Sequence, residues 1–279
     1  VISAEIATKS YAPNSSKKVG GDVGNLAPEL GGINAWINGG PYTMEELRGQ
    51  VVLVDFWTYT CVNCIRTLPF LKDWHAKYAK RGLTIVGIHS PEFNFEKLPA
   101  NVLRAIEDNA IEWPVALDND RKTWASFANR FWPAKYLFGP DGRIRYRHFG
   151  EGAYLETEYQ IRSVLQELGQ DLSDIPSGVI DHQEQDPQAS SVTREIYGGY
   201  ERSYSPNGIY AGQENYYLGP DKTLFYTDDG HYTHNQYFLQ GVWRNEREAI
   251  VHARATETPE DYLAIKFAGR AVNVVINPL

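Results

Sequence analysis

Two cysteines carry the reactive chemistry of this 279-residue chain. They are its only cysteines, and two residues separate them in VDFWTYTCVNCIRTLP, residues 54–69. A metal clip, a structural disulfide and a reactive dithiol all fit such a pair. A structural zinc ion needs four ligands, and the one close histidine pair, His231 and His234, lies far along the chain in a tyrosine-rich stretch. We therefore expect no metal site.

A reactive dithiol explains the pair better than a structural bridge. A disulfide across two intervening residues removes little chain entropy and is geometrically constrained. The strand-like run VVLVDFW precedes the cysteines and a helix-like run follows them, so Cys61 falls at the N-terminal edge of a helix. Unpaired N–H groups and the helix dipole stabilise a thiolate there. We predict that Cys61 is the nucleophile, that Cys64 resolves the mixed disulfide, and that no cofactor beyond this redox-active disulfide is needed.

Asp55 interrupts the apolar run VVLVDFW. A buried carboxylate without a partner costs several kcal/mol, so it must pair with a cation or titrate. Because Asp55 stands six residues before Cys61, we expect it beneath the dithiol, where it could take a proton from Cys64. An ion pair at a strand end is the alternative. Trp57 fits a shield for the dithiol or a core aromatic, and Pro69 is expected to bend the helix.

Composition excludes several classes of partner. The net charge of −8 and the pI near 5.4 argue against a nucleic-acid surface. No apolar run approaches the ~20 residues that cross a bilayer. The chain begins at Val1 without a charged segment followed by an apolar one, so we interpret it as a mature or excised fragment.

The composition and the hydrophobic pattern along the chain predict four regions. Residues 1–30 are an extended arm, 31–168 an α/β domain, 169–194 a polar linker, and 195–279 an all-β module rich in tyrosine. Within 31–168, strand-like and helix-like runs alternate, with helices expected over 62–80 and 121–131, and a hairpin turns at Gly139–Gly142. A β-α-β unit followed by a hairpin and a last helix implies a mixed central sheet with flanking helices.

The motifs of this domain resemble a known family. VVLVDFWTYTCVNCIRTLPFL is similar to the active site of the thioredoxin superfamily, in its TlpA-like branch. GIHSPEFNFEK, WPVALDNDRKTWASFANRFWPAKYLF and GEGAY resemble the soluble part of the membrane-fused DipZ proteins. The resemblance covers about residues 25–168 and implies a thioredoxin-like fold. It also implies that Pro133 is a cis-proline facing the dithiol, with peptide substrate lying along the backbone of Trp132 and Pro133.

The resemblance further implies an extracytoplasmic thiol-disulfide oxidoreductase, in the periplasm or cell envelope, as the soluble part of a membrane-anchored protein. Its partners would be a membrane thiol electron carrier and protein disulfides or thiols. One departure concerns the direction of electron flow. Reductases of this branch often carry a glutamate three residues after the second cysteine, and here that position is Thr67.

Residues 195–279 resemble a carbohydrate-binding module more loosely. IYGGYER, LQGVWRNERE and LAIKFAGRAVNVVINP carry this likeness and imply a jelly-roll-like β-sandwich. Such sandwiches take ~100 residues, so we expect an incomplete one, with an edge strand that another chain covers. The candidate glycan surface consists of five tyrosines: Tyr216, Tyr217, Tyr226, Tyr232 and Tyr237. Tyrosines are also common on ordinary strands, so packing in the core or on the surface is the better explanation for most such residues.

Two rival functions remain at this point. The chain could be a glycan-binding or cell-wall adaptor in which redox activity is secondary. It could also be a thiol peroxidase, because Thr58 stands three residues before Cys61 as in peroxiredoxins. However, Val54 occupies the position where those enzymes carry a proline, which disfavours the peroxidase.

Overall fold

The computed structural model describes residues 18–178, 193–203, 209–269 and 271–276. The described residues form two compact units, of which the first contains both cysteines. Within these ranges, no helix combines the length and the apolar character that crossing a membrane requires.

The first unit is an α/β fold around one six-stranded sheet. The strand order is β1-β4-β3-β2-β5-β6; β2, β3 and β4 are parallel, whereas β1, β5 and β6 each run antiparallel to a neighbour. The predicted mixed sheet with flanking helices is thus confirmed. Its strands are β1 (Ala35–Ile37), β2 (Val51–Trp57), β3 (Leu83–His89), β4 (Val115–Leu117), β5 (Ala134–Phe138) and β6 (Ile144–Phe149). Its helices are α1 (Val62–Tyr78), α2 (Pro99–Asp108), α3 (Lys122–Ser126) and α4 (Tyr154–Glu167).

Strand β2 lies inside the sheet and is buried on both faces. Side chains alternate along a strand, so Leu53 and Trp57 face one core, which α1 and α4 cover, whereas Val54 and Phe56 face the other. Asp55 shares the face of Leu53 and Trp57 by this alternation. The fold therefore places a carboxyl group under the start of α1.

Helix α1 begins and ends where the sequence indicates. Cys61 is its N-cap, and a 3₁₀ turn over Ala79–Arg81 leads to Gly82, whose φ of 98° is the left-handed conformation that glycine adopts readily. Pro69 lies inside the helix. The helix predicted over 121–131 is wrong in length, because α3 ends at Ser126 and Ala128 takes a φ of 52°. The following residues then run irregularly into Pro133.

A buried glutamate fastens α1 to α4. Glu158 accepts hydrogen bonds from the Tyr78 hydroxyl at 2.7 Å and from Lys77 Nζ at 3.1 Å. Its other oxygen accepts the Gly178 backbone N–H at 2.9 Å. These bonds join the end of α1 to the helix that covers it. They hold in place the helix that begins with the dithiol.

The second unit contains one antiparallel sheet of four strands. Its central strand β8 (Tyr237–Asn245) pairs with β7 (Thr223–Tyr226), β9 (Ile250–His252) and β10 (Tyr262–Ile265), and a short helix α5 (Tyr200–Ser203) precedes them. Within 193–203, 209–269 and 271–276, no second sheet packs on this one. The predicted β-sandwich is therefore not confirmed.

Three of the five tyrosines in the candidate glycan surface lie inside the core of the second unit. Tyr216 and Tyr226 are fully buried and Tyr237 is 2% exposed, because these rings form the core against the sheet. The hydroxyls of Tyr216 and Tyr237 both donate to the Gly198 carbonyl. Tyr217 is half-buried, and only Tyr232 is exposed. A tyrosine can fill a small core when its hydroxyl finds a partner, and the sequence pattern alone does not distinguish this use from a binding surface.

The Glu158 contacts generate a test of how α1 is held. Glu158→Ala leaves the Tyr78 hydroxyl and the Gly178 N–H without their acceptor, so the free energy of unfolding should fall by about 2–4 kcal/mol. Urea denaturation measures this. Glu156→Ala, at an exposed site on the same helix, is the matched control and should change stability by less than about 0.5 kcal/mol. Equal effects of the two variants would contradict the anchoring role.

Candidate active site

The two cysteines occupy different environments at the start of α1. Cys61 is half-buried, whereas Cys64 is 1% exposed. Both are free thiols, and the Cys64 backbone N–H donates to Cys61 Sγ at 3.3 Å. Burial raises the pKa of the Cys64 thiol well above its usual value, and the hydrogen bond with Cys61 and the nearby charges of Cys61 and Asp55 act in the same direction. The first thiol is reachable, and the second is protected behind it.

Asp55 is buried on the face of β2 that also carries Leu53 and Trp57. One of its carboxylate oxygens accepts no hydrogen bond from the described part of the chain. The residue is 2% exposed, and Oδ1 has no partner among the described residues. Burial raises the pKa of Asp55 to about 7, although the positive charge of Lys135 lowers it in part. Asp55 in turn raises the pKa of Cys64. The carboxyl group is thus electrically linked to the buried thiol and titrates near neutral pH.

Lys135 is a site residue that sequence reasoning missed. It is fully buried in β5, directly opposite Asp55 in the antiparallel register of β2 and β5. A signal was present, because Lys135 stands in the apolar run AKYLF just as Asp55 stands in VVLVDFW. The pairing of the two required the register, which the sequence does not state.

The Trp132–Pro133 peptide bond is cis, as the family resemblance implies. Trp132 Nε1 donates to the Ser90 carbonyl at 2.9 Å, and the Arg121 guanidinium lies 4.8 Å from the Trp132 ring centroid. Trp132 also packs against the core cluster that contains Cys64, as Cys61 does. The cis-proline loop and the dithiol thus border the same core.

Trp57 is a core aromatic, and its predicted role as a shield for the dithiol stays a prediction. The ring is 1% exposed and lies in the same core cluster as Cys64. It also meets the ring of His89 edge-on, with 5.4 Å between centroids. Burial lowers the pKa of His89 to about 3, so this histidine is neutral beside the tryptophan. Trp57 therefore contributes to the apolar core that contains Cys64.

A second missed residue, Glu96, fixes the loop that precedes Cys61. The carboxylate of Glu96 is fully buried and accepts the hydroxyls of Thr58 at 2.6 Å and Thr60 at 2.5 Å. It also accepts the backbone N–H groups of Glu92 and Phe93. Four donors satisfy the buried charge. The Thr58 hydroxyl, which the peroxidase reading needs at the cysteine, is bound to this carboxylate instead.

Thr67 places a neutral group where related reductases often carry an acid. Its hydroxyl donates to the Asn63 carbonyl at 3.0 Å and lies 3.4 Å from the Tyr154 hydroxyl. The neighbouring Arg66 points outward and pairs with Glu151 at 3.5 Å. The carboxyl whose charge raises the pKa of Cys64 is that of Asp55, on strand β2 rather than on helix α1.

The different exposure of the two thiols generates a labelling prediction. Iodoacetamide should alkylate Cys61 of the reduced protein much faster than Cys64, because only Cys61 reaches solvent and a thiolate is the reacting form. Peptide mass spectrometry after short exposures measures the two rates. Equal labelling, or faster labelling of Cys64, would reverse the assignment of nucleophile and resolving thiol.

The raised pKa of Asp55 generates a pH prediction. The carboxyl titrates near 7 when folded, against an ordinary aspartate pKa of 3.8, so the folded state binds more protons than the unfolded state and stability falls as pH rises from 4 to 7. Relative to Asp55→Asn, the wild type should lose up to about 4 kcal/mol across this range. In Asp55→Asn, loss of the carboxylate also lowers the pKa of Lys135. This change makes the variant gain stability relative to the wild type as pH rises. Urea denaturation of both proteins at pH 4, 5.5 and 7 measures the difference, and a constant difference would refute the assignment.

Comparison with known proteins agrees with this geometry. The model of the AhpC/TSA family matches residues 23–147. The chain is 44% identical over 142 residues to Protein DipZ of Mycobacterium bovis, a match that covers 50% of this chain and 20% of that protein. It is 30% identical over 141 residues to thiol-disulfide oxidoreductase YkuV of Bacillus subtilis, covering 50% of this chain and 94% of that protein.

Among solved structures, a thiol-disulfide isomerase from Corynebacterium glutamicum is 26% identical, with a TM-score of 0.46 over 50% of this chain and 96% of that one. The chain spans only about a fifth of the length of DipZ, whereas the first unit matches nearly the whole of YkuV. The CxxC pair at the start of α1 lies inside residues 23–147, which the family model matches. The chain belongs to the AhpC/TSA family, among its thioredoxin-like thiol-disulfide oxidoreductases.

Proposed function

We propose that the first unit exchanges thiols and disulfides with other proteins through Cys61 and Cys64. The observation that carries this proposal is the asymmetry of the pair, in which Cys61 caps α1 near solvent and Cys64 lies buried behind it. The Cys64 backbone N–H donates to the Cys61 sulfur, and burial raises the pKa of the Cys64 thiol, which disfavours negative charge on the second sulfur.

The exchange proceeds in two steps, attack on the substrate disulfide and resolution of the mixed disulfide. The Cys61 thiolate attacks one sulfur of a substrate disulfide, the substrate S–S bond breaks, and the departing thiolate takes a proton from solvent. Cys64 then gives up its proton, and its sulfur attacks Cys61 in the mixed disulfide. The second substrate sulfur leaves with the bonding electrons. The substrate is reduced by two electrons, and Cys61 and Cys64 are oxidised to a disulfide; the reverse sequence oxidises a dithiol substrate.

Asp55 is the proposed acceptor of the Cys64 proton. The thiol is buried and its pKa is raised, so solvent cannot readily remove its proton at neutral pH. Asp55 shares its face of the sheet with the core around Cys64 and titrates near neutral pH. A general base works best when its pKa lies near the working pH. Asp55 meets this condition because of its burial.

Protein substrates fit the rim beside the cis-proline. Phe131 is 52% exposed and its ring lies 5.3 Å from that of Phe149, which is 37% exposed. Exposed aromatic rings commonly serve as contact points at protein interfaces. Next to Trp132 and Pro133, they offer an apolar edge to an extended peptide that carries the reacting cysteine.

An extracytoplasmic location and a membrane thiol electron carrier are part of the same proposal. The support is the 44% identity with DipZ together with the resemblance to the soluble part of membrane-fused DipZ proteins. Location in the periplasm or cell envelope would also allow a disulfide to persist, since cytosolic thiols are kept reduced. The rival functions gain no support, because the tyrosines that suggested an adaptor are mostly buried and Thr58 is bound to Glu96.

Trapping of the mixed disulfide tests the exchange. Cys64→Ser should accumulate a covalent complex with a disulfide-bearing protein such as insulin, because no second thiol can resolve it. Cys61→Ser should form none, because its remaining thiol is buried. Non-reducing electrophoresis with and without dithiothreitol measures the complex. Equal trapping by the two variants, or none by either alongside an inactive wild type, would end the proposal.

A further inference from the structure

Lys135 lies under the dithiol with no structural need for its charge. It is fully buried in β5 between Ala134 and Tyr136. Its Nζ has no hydrogen-bond partner among the described residues, and neither has Oδ1 of Asp55 across the strand pair. Burial of an ammonium group costs several kcal/mol unless good contacts repay it. An apolar side chain of similar length would fill this position at lower cost.

Five polar or titratable groups surround Lys135. Asp55 faces it from β2, and Cys64 from α1. On the other side, His148 is its register partner on β6, and Glu151 follows that strand. From α4, the Tyr154 ring centroid lies 5.9 Å from Nζ. Lys135 is thus the one cation that this face of the sheet sets beside both Asp55 and Cys64 in the described part of the chain.

The outer neighbours of Lys135 have other partners. His148 Nε2 hydrogen-bonds the Glu151 carbonyl at 3.2 Å, and burial lowers the pKa of His148. The Glu151 carboxylate lies 3.5 Å from Arg66 and is partly exposed. Both groups are nearer to solvent than Asp55. Among the charged groups around Lys135, Asp55 therefore has the largest effect on its pKa, and it raises that pKa.

We propose that Lys135 is a positioning residue of the exchange reaction, whose charge favours the ionised form of the buried Asp55 carboxyl so that it can accept the proton of Cys64. This inference rests on the proposed function. It assigns to the chain a residue that acts through Asp55 and touches no substrate.

The charge balance of the site supports this role. Burial alone drives Asp55 towards its neutral form, and the Lys135 charge opposes this, with a net pKa of about 7. The Asp55 carboxyl is therefore partly ionised at neutral pH, and the ionised form is the one that can accept a proton. During resolution the Cys64 S–H bond breaks, its proton moves to the Asp55 carboxylate, and Lys135 keeps its own proton. When the active-site disulfide is reduced, the Asp55 proton returns to the Cys64 sulfur.

Lys135→Met tests the role directly, since methionine keeps the length and removes the charge. The pKa of Asp55 should then rise further above 7. The rate of resolution, measured in a single turnover from a preformed mixed disulfide on Cys61, should fall about tenfold at pH 7 for each unit of this rise. The midpoint of its pH profile should move to higher pH by the same amount. The first attack by Cys61 should keep its rate.

An infrared difference spectrum between pH 5 and pH 8 supplies a readout besides activity. The carboxylic acid band that Asp55→Asn removes should disappear between these pH values in the wild type and persist at pH 8 in Lys135→Met. Tyr136→Phe is the matched control, because Tyr136 is the adjacent buried residue of β5 and faces the other core. It should leave both the band and the pH profile unchanged.

The double variant Asp55→Asn/Lys135→Met separates a charge effect from a folding defect. It buries no charge at either position, and its pH profile should match that of Asp55→Asn alone. A further shift in the double variant, or an unchanged profile in Lys135→Met, would overturn the role of Lys135 while leaving the exchange function standing. Loss of exchange in the wild type would instead defeat the proposed function itself.

Discussion

A carboxyl and an ammonium group buried opposite each other beneath a thiol form the interaction on which this site depends. Each group alone would be neutral in an apolar core, because desolvation penalises the charged form of both. The antiparallel register of β2 and β5 places Asp55 directly opposite Lys135. The chemistry of Cys64 is therefore coupled to how these two strands pair. A slip of β5 by one residue would send Lys135 to the opposite face, away from Asp55.

The parts of the fold around this pair serve to hold Cys61 over it. Helix α1 begins at Cys61 and is anchored at its far end by Glu158 on α4. The loop before Cys61 is fixed by Glu96 through Thr58 and Thr60. Two buried carboxylates with satisfied donors thus fix both ends of the segment. The third, Asp55, keeps an unsatisfied oxygen and a pKa near neutrality.

The sequence predicts what depends on local pattern and misses what depends on register or on distant partners. Strand β2, helix α1 and the burial of Asp55 follow from an apolar run, a helical spacing and one misplaced charge. Lys135 carries the same signal, but its partner is set by strand pairing across 80 residues of chain. Glu96 resembles any solvated glutamate until its four donors are brought together. In the second unit, Tyr216 and Tyr237 could equally face solvent or a core, because tyrosine suits both, and packing placed them inside.

The buried pair also links redox state to protonation. In the reduced form the Cys64 thiol lies near Asp55, and the two groups disfavour each other's ionisation. Once Cys61 and Cys64 form a disulfide, no thiolate can arise at Cys64, so the Asp55 carboxylate faces only the cation Lys135. Oxidation therefore favours the ionised carboxyl, and reduction favours its protonation. Because electron and proton uptake are coupled in this way, the charge that Lys135 supplies acts on the balance between oxidised and reduced protein as well as on the rate of exchange.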